Sequence, residues 1–209
     1  MGFAGFGQRL VDFYDGLLAD NSKAYWTDHR AVYEEHVREP MRQLLAALEP
    51  EFGPGKIFRP YRDVRFSADK TPYKTHCGAL AGGYYLQADA EGLLVGGGYY
   101  RMAADQLARF RAAVDEPRSG EELRRRLSAL DGEGLTVAGE LLATRPRGVP
   151  AEHPRLDLLR HRSLYAWRRW PGEEELLSPG LVDLVAVTWR RLTPLLGWLT
   201  EHVGPSLAR

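Results

Sequence analysis

The chain contains one cysteine, Cys77, in 209 residues. No intrachain disulfide can form, which fits a reducing, cytoplasmic setting. Long apolar runs are also missing. The most hydrophobic stretch, Leu181 to Leu199, is interrupted by Asp183, Arg190 and Arg191. A bilayer helix needs about twenty mostly apolar residues, so no membrane span is expected. The opening segment MGFAGFGQRLVDFYDG has no basic leader, long apolar core or small-residue cleavage site. No signal peptide is expected from it. Net charge is absent too, with 28 basic residues against 28 acidic ones. Generic attraction to nucleic acid or anionic lipid is therefore not expected of the whole chain. Lysine is scarce. Only Lys23, Lys56, Lys70 and Lys74 occur beside 24 arginines, and three of the four fall between positions 56 and 74.

Hydrophobic residues make up 44% and charged residues 27%, an ordinary globular balance. No linker, repeat or low-complexity segment divides the chain, so a single domain over 1–209 is expected. Phe6, Leu10, Phe13 and Leu17 fall on one helical face. Asn21 and Ser22 offer caps for a second helix, whose apolar stripe runs through Trp26, Tyr33, Val37, Met41, Leu44 and Leu48. Pro40 predicts a kink or break within it. From Lys56 to Tyr100 the pattern changes to strands. Candidates are 57–66, irregular because of Pro60, then 75–81, and a hairpin of 84–88 and 93–99 around Asp89-Ala90-Glu91-Gly92. Helices return at Leu107, Phe110 and Val114, and at 121–130 with Ser119 as the expected cap. Residues 131–154 read as short strands joined by turns. One or two helical turns at 155–161, a late strand at 165–170 and a last helix from Ser178-Pro179 to about Val203 complete the chain, with Pro194 expected to kink that helix. Helices flanking short hairpin-connected strands predict an α+β fold, an antiparallel sheet packed against several helices.

The informative segment is Arg59-Pro60-Tyr61-Arg62-Asp63-Val64-Arg65-Phe66-Ser67-Ala68-Asp69-Lys70-Thr71-Pro72-Tyr73-Lys74-Thr75. Its five cations outnumber its two acids, a local surplus of three charges in a neutral chain. If 57–66 is extended, alternation puts Arg62 on one face with Phe58, Val64 and Phe66. A guanidinium there would be buried and would need an acid or carbonyls around it. Arg59, Tyr61, Asp63 and Arg65 would share the other face. Asp63 between two arginines should have a lowered pKa, which suits it to orienting an arginine rather than to general-base work.

This segment resembles the signature of a mainly bacterial family, domain of unknown function 2461, whose pattern is R-x-x-R-D-x-R-F-x-x-[DN]-K-x-x-Y. The matching positions are Arg59, Arg62, Asp63, Arg65, Phe66, Asp69, Lys70 and Tyr73. Asn21 to Trp26 is similar to the family's "NN…WF" segment, Gly96-Gly97-Gly98-Tyr99 to its glycine-rich strand end, and Pro146-Arg147-Gly148 to its "P-K/R-G" turn. The resemblance carries no activity, cofactor or catalytic residue with it.

Three functional readings remain open. In the first, the protein binds or acts on a small anionic, phosphorylated molecule. Arg59, Arg62, Asp63, Arg65, Asp69 and Lys74 form the ligand site, and Lys70 and Tyr73 are the candidates for proton transfer, because a lysine can lower a neighbouring phenol's pKa. The bland reading of Lys70 and Tyr73 is a cation at an aromatic edge. In the second, the same cations contact nucleic-acid phosphates, against which whole-chain neutrality counts. In the third, the motif is a structural salt-bridge lattice in a non-catalytic interaction protein. The six histidines form no HExxH or tight His/Cys set, so no metal site is expected. Gly96-Gly97-Gly98 lacks the Gly-Lys-Ser/Thr of a P-loop and reads as a strand bulge or a close backbone approach, although, ahead of a helix, it could also hold an anion. Cys77 follows a basic stretch, but no partner for an activated thiol is identifiable.

Overall fold

The computed structural model describes residues 3–65 and 67–207 and has an α+β fold with a six-stranded antiparallel sheet. The chain forms two compact units, Met1–Val95 with Arg169–Val187 and Gly96–Arg168 with Thr188–Arg209.

In the first unit, helix α1 spans Gln8–Ala19. Its expected face, Leu10, Phe13 and Leu17 with Phe6 just ahead of the helix, is buried. Ser22 caps α2 (Lys23–Tyr33) by accepting the Tyr25 N–H at 3.1 Å. The expected break at Pro40 takes another form. A π-helical turn, Glu34–Arg38, joins α2 to α3 (Glu39–Phe52), and Pro40 sits in the first turn of α3. Proline cannot donate to the carbonyl four residues back and its ring crowds that carbonyl, so a widened turn just before it relieves both problems. The stripe from Trp26 through Met41 to Leu48 stays continuous and buried across the junction.

Strand β1 (Gly55–Ile57) is followed by a long loop, then by β2 (His76–Ala81), β3 (Tyr84–Asp89) and β4 (Gly92–Tyr99). The hairpin expected over 84–99 is present. Its two-residue turn is held by the Asp89 carboxylate, which accepts the Glu91 N–H at 3.0 Å, and by Gly92 at φ 128°. β2 pairs antiparallel with β3, His76 opposite Asp89 and Gly78 opposite Gln87. Cys77, Ala79, Leu86 and Ala88 on the alternate face are buried.

Next come α4 (Ala104–Asp115), α5 (Pro117–Gly132), β5 (Thr136–Ala138), α6 (Leu156–Leu159), β6 (Leu164–Pro171), α7 (Glu174–Leu177) and α8 (Leu181–His202). The sheet order is β1-β2-β3-β4-β6-β5. In the second unit, α5 begins earlier than expected because Glu116, not Ser119, caps it. Glu116 accepts the N–H groups of Arg118 and Ser119, while the Ser119 hydroxyl turns inward to the Ala113 carbonyl. The glycine run behaves as a close approach. A Cβ at Gly98 would lie 2.4 Å from the Leu164 carbonyl oxygen and one at Gly96 2.8 Å from that of Ala166. Pro146-Arg147-Gly148 is a turn, with Val149 N–H donating to the Pro146 carbonyl at 3.2 Å.

Candidate functional site

Residues 58–65 do not form the strand that alternation predicts over 57–66. β1 ends at Ile57, and after one further ladder bond, Phe58 N–H to Gly78 carbonyl at 2.9 Å, the chain leaves the sheet as a loop. Its base is closed by an antiparallel bridge between Tyr61 and Tyr73. Arg62 N–H donates to the Pro72 carbonyl and Lys74 N–H to the Pro60 carbonyl, each at 2.8 Å. Both prolines lack a donor, so they can serve in this bridge only as acceptors. A regular ladder through 57–66 is thereby precluded.

The base is fixed by the segment Asn21–Trp26. The Asn21 amide brackets the Tyr73 backbone, Nδ2 donating to its carbonyl and Oδ1 accepting its N–H, both at 3.1 Å. Trp26 stacks on the Tyr73 ring with centroids 4.5 Å apart and planes at 10°. Tyr61, Tyr33 and Phe13 complete the aromatic cluster around Trp26. Tyr73 is only 4% exposed. Burial, with Tyr61 nearby, raises its phenol pKa, the opposite of what activation by Lys70 would do.

The tip carries the motif's two acids, and each takes an arginine. Asp69 accepts the Thr71 N–H at 2.9 Å and its hydroxyl at 2.7 Å, and it pairs with Arg62, which also reaches the Thr71 hydroxyl. These bonds lower the Asp69 carboxyl to about 2. Asp63 accepts Nε and Nη2 of Arg65 at 2.9 and 2.7 Å, and its pKa is lowered mainly by these bonds, with the Arg65 backbone N–H and the nearby Arg59 charge adding to them. Arg62 has the expected acid partner, but its side chain is 34% exposed rather than buried, because it does not lie in an extended strand. The shared face with Phe66 falls outside the described residues.

Three cations remain. Among the described residues no carboxylate forms an ion pair with Arg59, Lys70 or Lys74. Lys70 donates to the Val64 carbonyl at 3.0 Å across the tip. Lys74 stands 5.2 Å from the centre of the Phe58 ring. Burial lowers its pKa, and the neighbouring Arg59 guanidinium lowers it further. The motif therefore brings Arg59 and Lys74 together, while Arg62, Asp63, Arg65 and Asp69 are occupied with one another. Two surface hollows, of about 540 Å³ beside Arg38, Arg42 and Lys56 and about 330 Å³ beside Arg126, Glu133 and Arg191, are not lined by any loop residue.

Sequence reasoning missed the polar side chains next to the loop. Tyr85, Gln87 and Asp89 alternate along one face of β3 and are joined by hydrogen bonds of 2.8 Å each. Arg169 donates to Asp89 at 2.6 Å. His76 stands opposite Asp89 in the register. The signal was there as period-two alternation of Tyr, Gln and Asp, but only strand pairing reveals that His76 and Arg169 join them.

The family described as conserved hypothetical protein (DUF2461) matches residues 9–198. The chain belongs to this family. No curated protein and no solved structure matches it. The match covers both the Asn21–Trp26 segment and the loop that it supports. Among the described residues, no cluster of three His, Cys, Asp or Glu side chains could hold a metal, and no helix is long and apolar enough to cross a membrane.

Proposed function

We propose that this DUF2461 protein binds a small anionic, phosphorylated molecule at the loop 58–75, with Arg59 and Lys74 as the principal contacts and Lys70 at the rim. One observation carries the reading. Both acids of the motif are taken up by Arg62 and Arg65, so the surplus charge falls on residues without carboxylate partners. Arg59 and Lys74 repel each other, and Lys74 is partly desolvated. A bound phosphate would relieve the repulsion and supply the missing charge-assisted hydrogen bonds. Arg62, Asp63, Arg65 and Asp69 then shape the tip rather than touch the ligand. Tyr73 anchors the loop, and its raised pKa argues against proton transfer from it. The single cysteine fits work in the cytoplasm.

Thermal-shift titration of the intact protein with inorganic phosphate, sugar phosphates, nucleotides and short oligonucleotides tests this, because a ligand of the native state raises its apparent stability. A shift with small phosphates that is lost in Lys74→Ala is the expected result. A shift with oligonucleotides alone would favour a nucleic-acid module. No shift with any of them would leave the motif as architecture.

A further inference from the structure

His76 immediately follows the loop, as the first residue of β2. The β2–β3 register places His76 and Asp89 directly opposite one another on one face of the sheet. Asp89 does not serve the imidazole. One carboxylate oxygen accepts from Arg169 at 2.6 Å and from the Glu91 N–H at 3.0 Å, and the other from Gln87 at 2.8 Å. Arg169 is in turn shared between Asp89 and Glu91. No hydrogen bond to the His76 ring forms among the described residues, although the residue is partly buried. The ring nitrogens are thus left to solvent or to a ligand.

The charged groups facing His76 are Lys74, Arg169 and Arg62 on the cationic side and Asp89 on the acidic side. Arg169 is paired with Asp89 and Glu91 and Arg62 with Asp69, so Lys74 is the one of these cations without a carboxylate partner among the described residues. Burial above all, then the Lys74 charge, with Asp89 opposing and Arg169 and Arg62 adding to the effect, holds the imidazole below its ordinary pKa and hence neutral near pH 7. Lys74, two residues before His76, also belongs to the proposed anion site. An anion seated against Lys74 would therefore also lie within the field that keeps His76 neutral. It would cancel part of that field and offer the ring the acceptor that it lacks.

We propose that the anion site continues from the loop onto the sheet, that its ligand is a phosphate monoester, and that His76 contacts the phosphate and takes up a proton from solvent as it binds. This rests on the reading of the loop as an anion site. A monoester fits because its second ionisation lies near pH 6, so close to neutral pH it presents a dianion to a cation pair and a histidine able to become a third donor. No covalent bond is made or broken. One proton passes from buffer to an imidazole nitrogen, and the N–H so formed, or the one already present, donates to a phosphate oxygen.

The test is the pH titration of His76 by NMR with and without saturating glycerol phosphate, alongside calorimetry of the same ligand in two buffers of different ionisation enthalpy. The wild type should show an upward shift of the His76 midpoint on binding and net proton uptake near pH 7. His76→Gln should keep the fold, bind about tenfold more weakly and take up no proton. Lys74→Ala provides a readout without ligand, since removing that charge should raise the His76 midpoint. Binding with an unmoved His76 midpoint and unchanged proton uptake in His76→Gln would overturn this inference while leaving the loop as an anion site. Absence of any binding by the wild type would overturn both.

Discussion

The base and the tip of the loop are held by different residue types and different forces. At the base, Tyr73 is packed on Trp26, and Asn21 holds its backbone at both polar atoms. At the tip, each acid meets its arginine close by in sequence and in solvent, Asp63 with Arg65 two residues on and Asp69 with Arg62 seven residues back. Packed apolar area and satisfied buried amides stabilise strongly. Exposed ion pairs contribute little and are screened by salt. A run of sequence that reads as one motif thus divides into an anchor and a presented surface. In the proposed reading the cations free of carboxylates, Arg59, Lys70 and Lys74, go with the second part, although Lys74 sits beside the first.

The largest effect should come from breaking the anchor. Trp26→Ala removes the stacking partner of Tyr73 and empties the centre of an aromatic cluster, and large aromatic truncations in cores cost about 3–5 kcal/mol. Asn21→Ala leaves two backbone groups of Tyr73 unpaired, which costs about 1–3 kcal/mol where such groups are buried. Denaturant melts of both variants should show these losses in that order. A Trp26→Ala midpoint equal to wild type would show that the base is no anchor and would collapse the distinction from the tip.

A smaller structural but larger functional effect is expected at Lys74. Lys74→Ala removes a half-buried cation that is repelled by Arg59, so its melting temperature without ligand should stay close to wild type. The thermal shift produced by inorganic phosphate should disappear, and in wild type it should shrink as salt rises because the site is open to solvent. Loss of stability with an unchanged phosphate shift would move Lys74 into the anchor.

Much of the fold was legible because it rests on local periodicity. The stripe of Trp26, Tyr33, Val37 and Met41 and the Asp-Ala-Glu-Gly hairpin are short-range patterns, and both are present. The strand expected over 57–66 was not, because the pairing of Pro60 and Pro72 as acceptors across the loop is a non-local fact that alternation does not encode. Pro40 predicts an interruption, and a π-helical turn absorbs it without breaking the stripe. At the site, composition pointed to the cationic surplus, but which cations the acids cancel depends on side-chain geometry. The role of Asn21 and Trp26 as supports for Tyr73 spans 52 and 47 positions of sequence, a reach at which no spacing rule operates.

The smallest effect belongs to the tip, and pH can isolate it. The folded Asp69 carboxyl titrates at about 2, below the ordinary aspartate value of roughly 3.9 in an unfolded chain. The unfolded chain therefore takes up this proton first as pH falls. The contribution of Asp69 to stability is complete above the unfolded value, declines between about 4 and about 2, and is gone below the folded value. Asp69→Asn has no such titration. Its melting temperature should lie slightly below wild type at pH 6, and the gap should close as both are taken down to pH 2. The phosphate shift at neutral pH should survive, because Arg62 is released rather than lost and the local positive charge increases. A large drop at pH 6, of the size expected for Asn21→Ala, would make the tip as structural as the base. A gap that persists unchanged to pH 2 would mean that the asparagine acts by a route that does not depend on ionisation of the Asp69 carboxyl, whose bonds to Thr71 and Arg62 all favour the charged form.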